Sequence, residues 1–445
     1  MRQDKKFLSM VCNLAVPVAL QSMLQASFSI VDQIMIGQLG SVAVAGVGLA
    51  GKFSSIYSVL VSAIGAVAGI MISQYMGQEN KKEIRRSFLV NFLLAIGIAV
   101  IFTVICMVFP KQIMGLYTAE TDTQNVAGQY LFLIAGTFLM LAGTTMFSTM
   151  FRCMEKATLP LVASIVAACM NTGLNYLLIF GKIGFPEMGV KGAAIATVVS
   201  QAVNLLILLV LFMRYKNCLT DGDKSEEVGA FHWKQYGKML LPVLVCELVW
   251  SLGENVYAVI YGQLGTDACA AMTLINPIQS LMIGALCGLS QAASVIVGKK
   301  LGNQEFDEAY AASKKLLMYG FAGSVVLSVG IVMTSAFYVN IYQVEEPVKL
   351  LTQQILFSYA IVAPFKVQNM ILGGGIIRSG GKTKYVMMID LIGTWMFGVP
   401  LGMWAAFILN LSIPYVYFIL SLEECVRFAI SLVVLRKKKW MYSLD

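Results

Sequence analysis

Twelve apolar stretches, each long enough to cross a bilayer as a helix, follow one another along this chain with short polar breaks between them. A helix rises 1.5 Å per residue, so about 20 apolar residues cover the hydrocarbon core. The stretches read as 14–37, 46–72, 88–109, 127–150, 158–180, 192–213, 239–262, 270–297, 317–338, 351–374, 384–407 and 411–435. Only 13% of the 445 residues are charged, against roughly 25% in soluble domains. The fold class is therefore an all-α polytopic membrane protein of twelve transmembrane helices.

The segment MRQDKK leads into an apolar stretch too long for a signal-peptide core and without a small-residue cleavage pattern, so the first helix is expected to remain in the mature protein. The net charge of +8 follows the loops. With both termini in the cytoplasm, the inside segments hold 25 of the 32 basic residues, and only Lys111, Lys182, Lys191 and Lys349 lie outside. That asymmetry obeys the positive-inside rule and requires an even number of spans. It points to the bacterial cytoplasmic (inner) membrane, with both termini cytoplasmic, and to no nucleic-acid partner. The nine cysteines include no CxxC, and His232 is the only histidine. Zinc ligation and a disulfide framework are excluded, and the cysteines are expected to be buried and apolar.

The chain repeats itself. Pro17 to Gly40 reads PVALQSMLQASFSIVDQIMIGQLG, and 225 residues later Pro242 to Gly265 reads PVLVCELVWSLGENVYAVIYGQLG. Met76, Gly77 and Gln78 match Leu301, Gly302 and Asn303 at the same offset, and Arg152 matches Arg378 at 226. Six spans per copy give both copies one orientation, a parallel repeat. The expected domains are an amino-terminal lobe over 1–215, a charged cytoplasmic linker over 216–238 and a carboxy-terminal lobe over 239–445. Substrate would sit in a cleft between lobes that rock to expose it alternately to each side.

Six acids fall within spans: Asp32, Glu247, Glu254, Asp390, Glu423 and Glu424. Charge at the bilayer centre costs about 2.5–3.5 kcal/mol on insertion scales, so each needs a partner or a purpose. Asp32 lies toward the outer end of the first helix, and Tyr257 stands at its repeat position, so ancestry of the scaffold does not account for the charge. It is either a coupling-ion ligand or a hydrogen-bonded structural acid. Asn171 and Asn175 share a helical face at i, i+4, and Thr197 follows in the sixth span. Such residues serve as interhelical glue, or, beside Asp32, as neutral oxygens completing an H⁺ or Na⁺ site.

In the second half Glu254 follows Trp250 by one turn, and Lys366 and Gln368 lie in the tenth span. Glu254 and Lys366 form either a buried ion pair or part of a substrate or second ion site, with Trp250, Gln368 and Tyr257. Glu423, Glu424 and Arg427 have the spacing of an internal salt bridge, and Glu247 suits an interfacial or packing role.

Several separated motifs resemble those of the multidrug and toxic compound extrusion (MATE) transporters over nearly the whole chain. They are VDQIMIGQLG at 31–40, MGQEN after the second span, NTGLNYLLIFG at 171–181, GVKGAAIATVVSQ at 189–201 and IIRSGGKTK at 376–384. The resemblance implies two six-helix lobes in a V and cation-coupled export of amphipathic, often cationic compounds. It makes Asp32 the first-helix acid of a coupling-ion site with Asn171, Asn175 and Thr197, and Pro17 the point where that helix bends when the acid is protonated. The position of Asn175 is commonly aspartate in the family. The acids of the NorM branch are missing at Trp250 and near Val367, so the chain is more similar to a DinF-type or unclassified bacterial member.

The expected function is secondary multidrug efflux in antiport with H⁺ or Na⁺, by a monomer acting on small amphipathic cations in contact with membrane lipid, without a cofactor. The alternative is a flippase for lipid-linked precursors. That activity calls for a basic cavity, and only Lys52, Lys366 and Arg427 lie in or near spans. No catalytic constellation is visible, so an enzyme is not expected.

Overall fold

The computed structural model describes residues 2–118, 120–215, 233–340 and 345–444. Most of the expected linker lies outside the described residues, and Lys216, Cys218, Lys224 and His232 lie there with it. Every regular element described is helical, as lipid demands: with no water to satisfy N–H and C=O groups, the backbone must bond within its own segment. The helices are α1 (Arg2–Gly37), α2 (Ser41–Gly77), α3 (Lys81–Val108), the short α4 (Pro110–Gly115), α5 (Thr121–Ile134), α6 (Thr137–Cys153), α7 (Thr158–Phe180) and α8 (Val190–Tyr215). After the linker come α9 (Trp233–Gln263), α10 (Thr266–Gly302), α11 (Phe306–Asn340) and α12 (Glu346–Asn369), which continues as wide turns over Met370–Ile377. The chain ends in α13 (Lys384–Asp390), α14 (Val399–Met403), α15 (Ile413–Ser421) and α16 (Glu423–Arg436).

Ten of these segments are long and apolar enough to cross a membrane, and the pair α5 and α6, bent by 47°, makes an eleventh. Helices α15 and α16 cover the twelfth predicted stretch. The fourth span, read as 127–150, breaks at Ala135 and Gly136. The Ala135 carbonyl accepts from Thr103 Oγ1 at 3.0 Å, so the break leaves no bare carbonyl there. In the tenth span the wide turns present the Met370 carbonyl to Ser290 Oγ at 2.8 Å.

The chain divides into two compact units, one formed by Leu20–Ile72 and Glu79–Val228, the other by Met1–Ala19, Ser73–Gln78 and Gly229–Asp445. In the first, α8 packs on α5, α6 and α7. Rings of Phe88, Phe92, Phe147 and Phe212 cluster between α3, α6 and α8, and buried Tyr57 donates to the Phe138 carbonyl at 2.6 Å. Gly181 closes α7 in the left-handed region at φ +62°, and a Cβ there would stand 2.8 Å from the Glu187 amide nitrogen.

In the second unit the end of α2 crosses the end of α10 with almost no side chain between them. A Cβ on Gly77 would stand 2.0 Å from the Lys299 carbonyl oxygen, and one on Gly302 would stand 2.0 Å from that of Gln74. Gly77 and Gly302 are repeat partners, and so are Gln74 and Lys299, so the crossing is reciprocal about the repeat axis. This is why residues 73–78 group with the carboxy-terminal helices. The last residues cover the crossing: Gln74 Nε2 donates to the Ser379 carbonyl at 2.6 Å, and the Leu444 amide donates to Gln74 Oε1 at 2.7 Å. We expect Gly77→Val or Gly302→Val to lower stability by about 1–3 kcal/mol, as overpacking does. Thermal denaturation of the purified protein in detergent checks this.

The cysteines depart from expectation. Cys106, Cys153 and Cys246 are buried, but Cys12, Cys169 and Cys269 are exposed. On a helix whose outer surface meets lipid, an apolar thiol is as well placed outside as inside.

Candidate functional site

In the first unit, α1, α7 and α8 bring together all four residues expected to hold the coupling ion. One turn of α7 separates Asn171 from Asn175, so both amides leave the helix on one face, toward α1 and α8. Both are buried, and Asp32 and Thr197 are partly buried beside them. Asn175 Nδ2 donates to Asp32 Oδ1 at 2.7 Å and to Asn171 Oδ1 at 3.2 Å. Thr197 Oγ1 spends its own proton on the Ala193 carbonyl at 2.9 Å, and its lone pairs face Asn171 Nδ2 at 3.5 Å. Tyr130, which sequence reasoning did not single out, reaches the cluster beside Thr197 and Asp32.

Two observations bear on what the cluster binds. The Asn175 Oδ1 atom is buried and has no hydrogen-bond partner among the described residues. One end of the Asn171 amide stands 2.9 and 3.1 Å from the two Asp32 oxygens. With nitrogen at that end the amide donates to the carboxylate. With oxygen there, acceptor faces acceptor, which only a proton on Asp32 or a cation between them makes favourable. The site thus offers one carboxylate and several neutral oxygens, a donor set suited to a hard monovalent cation or to a proton.

Pro17 lies inside α1, which continues through it as one helix from Arg2 to Gly37. The proline removes the hydrogen bond to the Asn13 carbonyl, a weakening of the ladder. The division of α1 between the two units falls two residues further on, after Ala19.

The second unit has its own polar centre, a cavity of about 280 Å³ lined by residues of α9, α10, α12, α15 and α16. Glu254, Tyr257 and Lys366 line it with Glu423 and Glu424. Trp250 and Gln368 do not: Trp250 is exposed, and Gln368 is buried with its Nε2 donating to the Leu317 carbonyl at 3.0 Å. Glu254 and Lys366, expected as an ion pair or a site, form no direct ion pair among the described residues. Of the expected salt bridge in α16, Glu424 meets Arg427 at 3.6 Å. Glu423 instead accepts from the Tyr257 hydroxyl at 2.5 Å. Arg427 also binds Asp390, which accepts from the Cys246 thiol. Glu247 pairs with Arg378 at 3.4 Å. No group of three or more His, Cys, Asp or Glu able to hold a metal ion occurs among the described residues.

The family model described as MatE matches residues 17–177 and 242–404, once on each repeat, each match beginning on a repeated proline. Among curated proteins, the chain is similar to the uncharacterized transporter YisQ of Bacillus subtilis, 23% identical over 95% of this chain and 92% of that protein. It is also similar to a probable multidrug resistance protein NorM of Thermotoga maritima, 26% identical over 87% of this chain and 83% of that one. Among solved structures, the Vibrio cholerae MATE transporter VcmN superposes with a TM-score of 0.88 at 15% identity, over 99% of this chain and 100% of that one. A MOP superfamily transporter from Pyrococcus furiosus superposes with a TM-score of 0.84 at 16% identity, over 96% and 95%. The family match spans both repeats and the fold agrees over almost the full length, so the chain belongs to the MatE family of membrane transporters.

Proposed function

We propose that this protein exports small amphipathic organic cations from the cytoplasm in exchange for H⁺ or Na⁺ bound at Asp32. The observation that carries the reading is Asp32 held by Asn175 at 2.7 Å beside an unpartnered Asn175 oxygen and the Asn171 amide. Ion binding drives export only if it favours one conformer over the other. The weak point of α1 at Pro17, fifteen residues before Asp32, supports a change of bend in that helix as the transmitting motion. Similarity to probable multidrug resistance proteins supports the substrate class. The loop charges support a bacterial cytoplasmic membrane with both termini inside, and the protein acts as a monomer.

The polarity of the second cavity speaks against a flippase for anionic lipid-linked precursors, since three glutamates line it against one lysine. Its acids come from Glu254, Glu423 and Glu424 and not from positions 250 and 367, which supports placing the chain outside the NorM pattern, with DinF-type or unclassified bacterial members.

The test is ethidium efflux from proteoliposomes under a pH gradient and a Na⁺ gradient imposed separately. We expect one of the two gradients to raise export to about tenfold or more above the leak of protein-free vesicles, and the other to leave it unchanged. Export indifferent to both gradients would refute the antiport.

A further inference from the structure

The second unit carries an open groove of about 1640 Å³ where α9 and α13 begin. The two helices pack on each other, and the buried Thr383 hydroxyl, just before α13, donates to the Met239 carbonyl of α9 at 2.9 Å. Both open a segment able to cross a membrane, Trp233–Gln263 and Lys384–Ile408, so the groove lies at the level where a bilayer meets water. Its polarity is graded along each helix. On α9, Lys234 and Lys238 share a face at i, i+4, and Leu241 and Pro242 continue that face about one turn deeper. On α13, Lys384 is followed one turn deeper by Met388. Lys382 adds a fourth ammonium, its Nζ donating to the Lys439 carbonyl at 3.1 Å and facing the Tyr442 ring at 5.4 Å. Among the described residues no aspartate or glutamate lines the groove. Trp233, Leu241 and Met388 are exposed there, an apolar surface suited to lipid, with a tryptophan at the interface where such rings collect.

We propose that this groove holds an anionic phospholipid of the leaflet in which α9 and α13 begin, its phosphate among the four lysines and an acyl chain along Leu241, Pro242 and Met388. The lipid is a resident partner of the transporter, not a second cargo, and its binding does not depend on the antiport. Charge giving way to apolar surface within one helical turn is the profile of a phospholipid, phosphate above and hydrocarbon below. A soluble anion would satisfy the lysines and leave Trp233, Leu241 and Met388 in water. A zwitterionic phospholipid would cover the apolar part but bring its own cation up to four ammonium groups. An anionic lipid answers both parts, and basic pockets between membrane helices recognise such headgroups.

The test titrates the full-length protein, stripped of lipid in detergent, with phosphatidylglycerol labelled by a fluorophore on its acyl chain. Unlabelled phosphatidylglycerol, phosphatidylcholine and glycerol 3-phosphate are the competitors. In the wild type we expect phosphatidylglycerol to bind about tenfold or more tightly than phosphatidylcholine, and glycerol 3-phosphate not to compete at millimolar concentration. A lysine beside an anionic headgroup is worth about fivefold, so Lys234→Gln with Lys238→Gln is expected to weaken phosphatidylglycerol binding by about tenfold or more. Lys81→Gln with Lys82→Gln, the same loss of charge on exposed residues at the start of α3, should leave binding unchanged. Equal binding of the two phospholipids by the wild type overturns the proposal, and so does glycerol 3-phosphate competing as well as the lipid. Neither result needs a variant to fold. Equal weakening by the two double variants also overturns it, because the attraction would then belong to the whole charged surface. Ethidium export in proteoliposomes separates this proposal from the antiport. Ion-driven export without a lipid preference refutes only the lipid site, whereas a clear lipid preference without ion-driven export refutes only the antiport.

Discussion

Asp32→Asn is expected to reduce ion-driven ethidium export to the level of protein-free vesicles while the protein still folds. Asparagine has nearly the shape of aspartate and keeps hydrogen-bonding partners in Asn171 and Asn175, so the packing of α1 on α7 survives. It cannot take up a proton, and it offers a cation no formal charge. A hydrogen bond to a charged group is worth about 1.5–3 kcal/mol, so the loss of charge weakens ion binding by about tenfold or more for each contact. A fluorescent efflux assay with the variant at matched reconstitution checks this. A melting temperature close to wild type distinguishes loss of the ion from loss of the fold.

The second large effect concerns stability. Arg427→Met leaves Asp390 and Glu424 without their cation in a site where both are buried. Breaking a buried pair from one side typically costs about 3–5 kcal/mol, because the remaining charge stays out of water. We expect Arg427→Met to lower the melting temperature in detergent sharply, and Arg427→Met with Asp390→Asn to recover part of the loss. A double-mutant cycle measures the recovery; strictly additive losses would show that the two side chains do not depend on each other.

The twelve spans were legible because lipid imposes a length and a composition on every crossing segment, and the repeat was legible because Pro17 and Pro242 register without a gap. The amino-terminal site was legible for a local reason and a remote one. Asn171 and Asn175 share a face by helical spacing, whereas the meeting of that face with Asp32 spans 143 residues and came from family resemblance. Other pairings had no signal in the sequence. Arg427 and Asp390 lie 37 residues apart, and Tyr257 and Glu423 lie 166 apart. Local spacing favoured Glu423 with Arg427, but tertiary packing gave Glu423 to Tyr257. The break at Gly136 and the wide turns after Met370 were also illegible. Hydropathy registers how apolar a segment is but not the course of its backbone, and those carbonyls are met by Thr103 and Ser290 from other helices.

The most direct test of exchange at Asp32 records both partners of the antiport at once. An outward ethidium gradient is imposed on proteoliposomes without any ion gradient, while H⁺ and Na⁺ movements are followed with internal indicators. Coupling is reciprocal, so ethidium leaving the vesicle must drive one ion inward against no initial gradient, and Asp32→Asn must abolish that ion flux. Ethidium efflux with no counter-moving ion, or an ion flux undiminished in Asp32→Asn, would contradict the account.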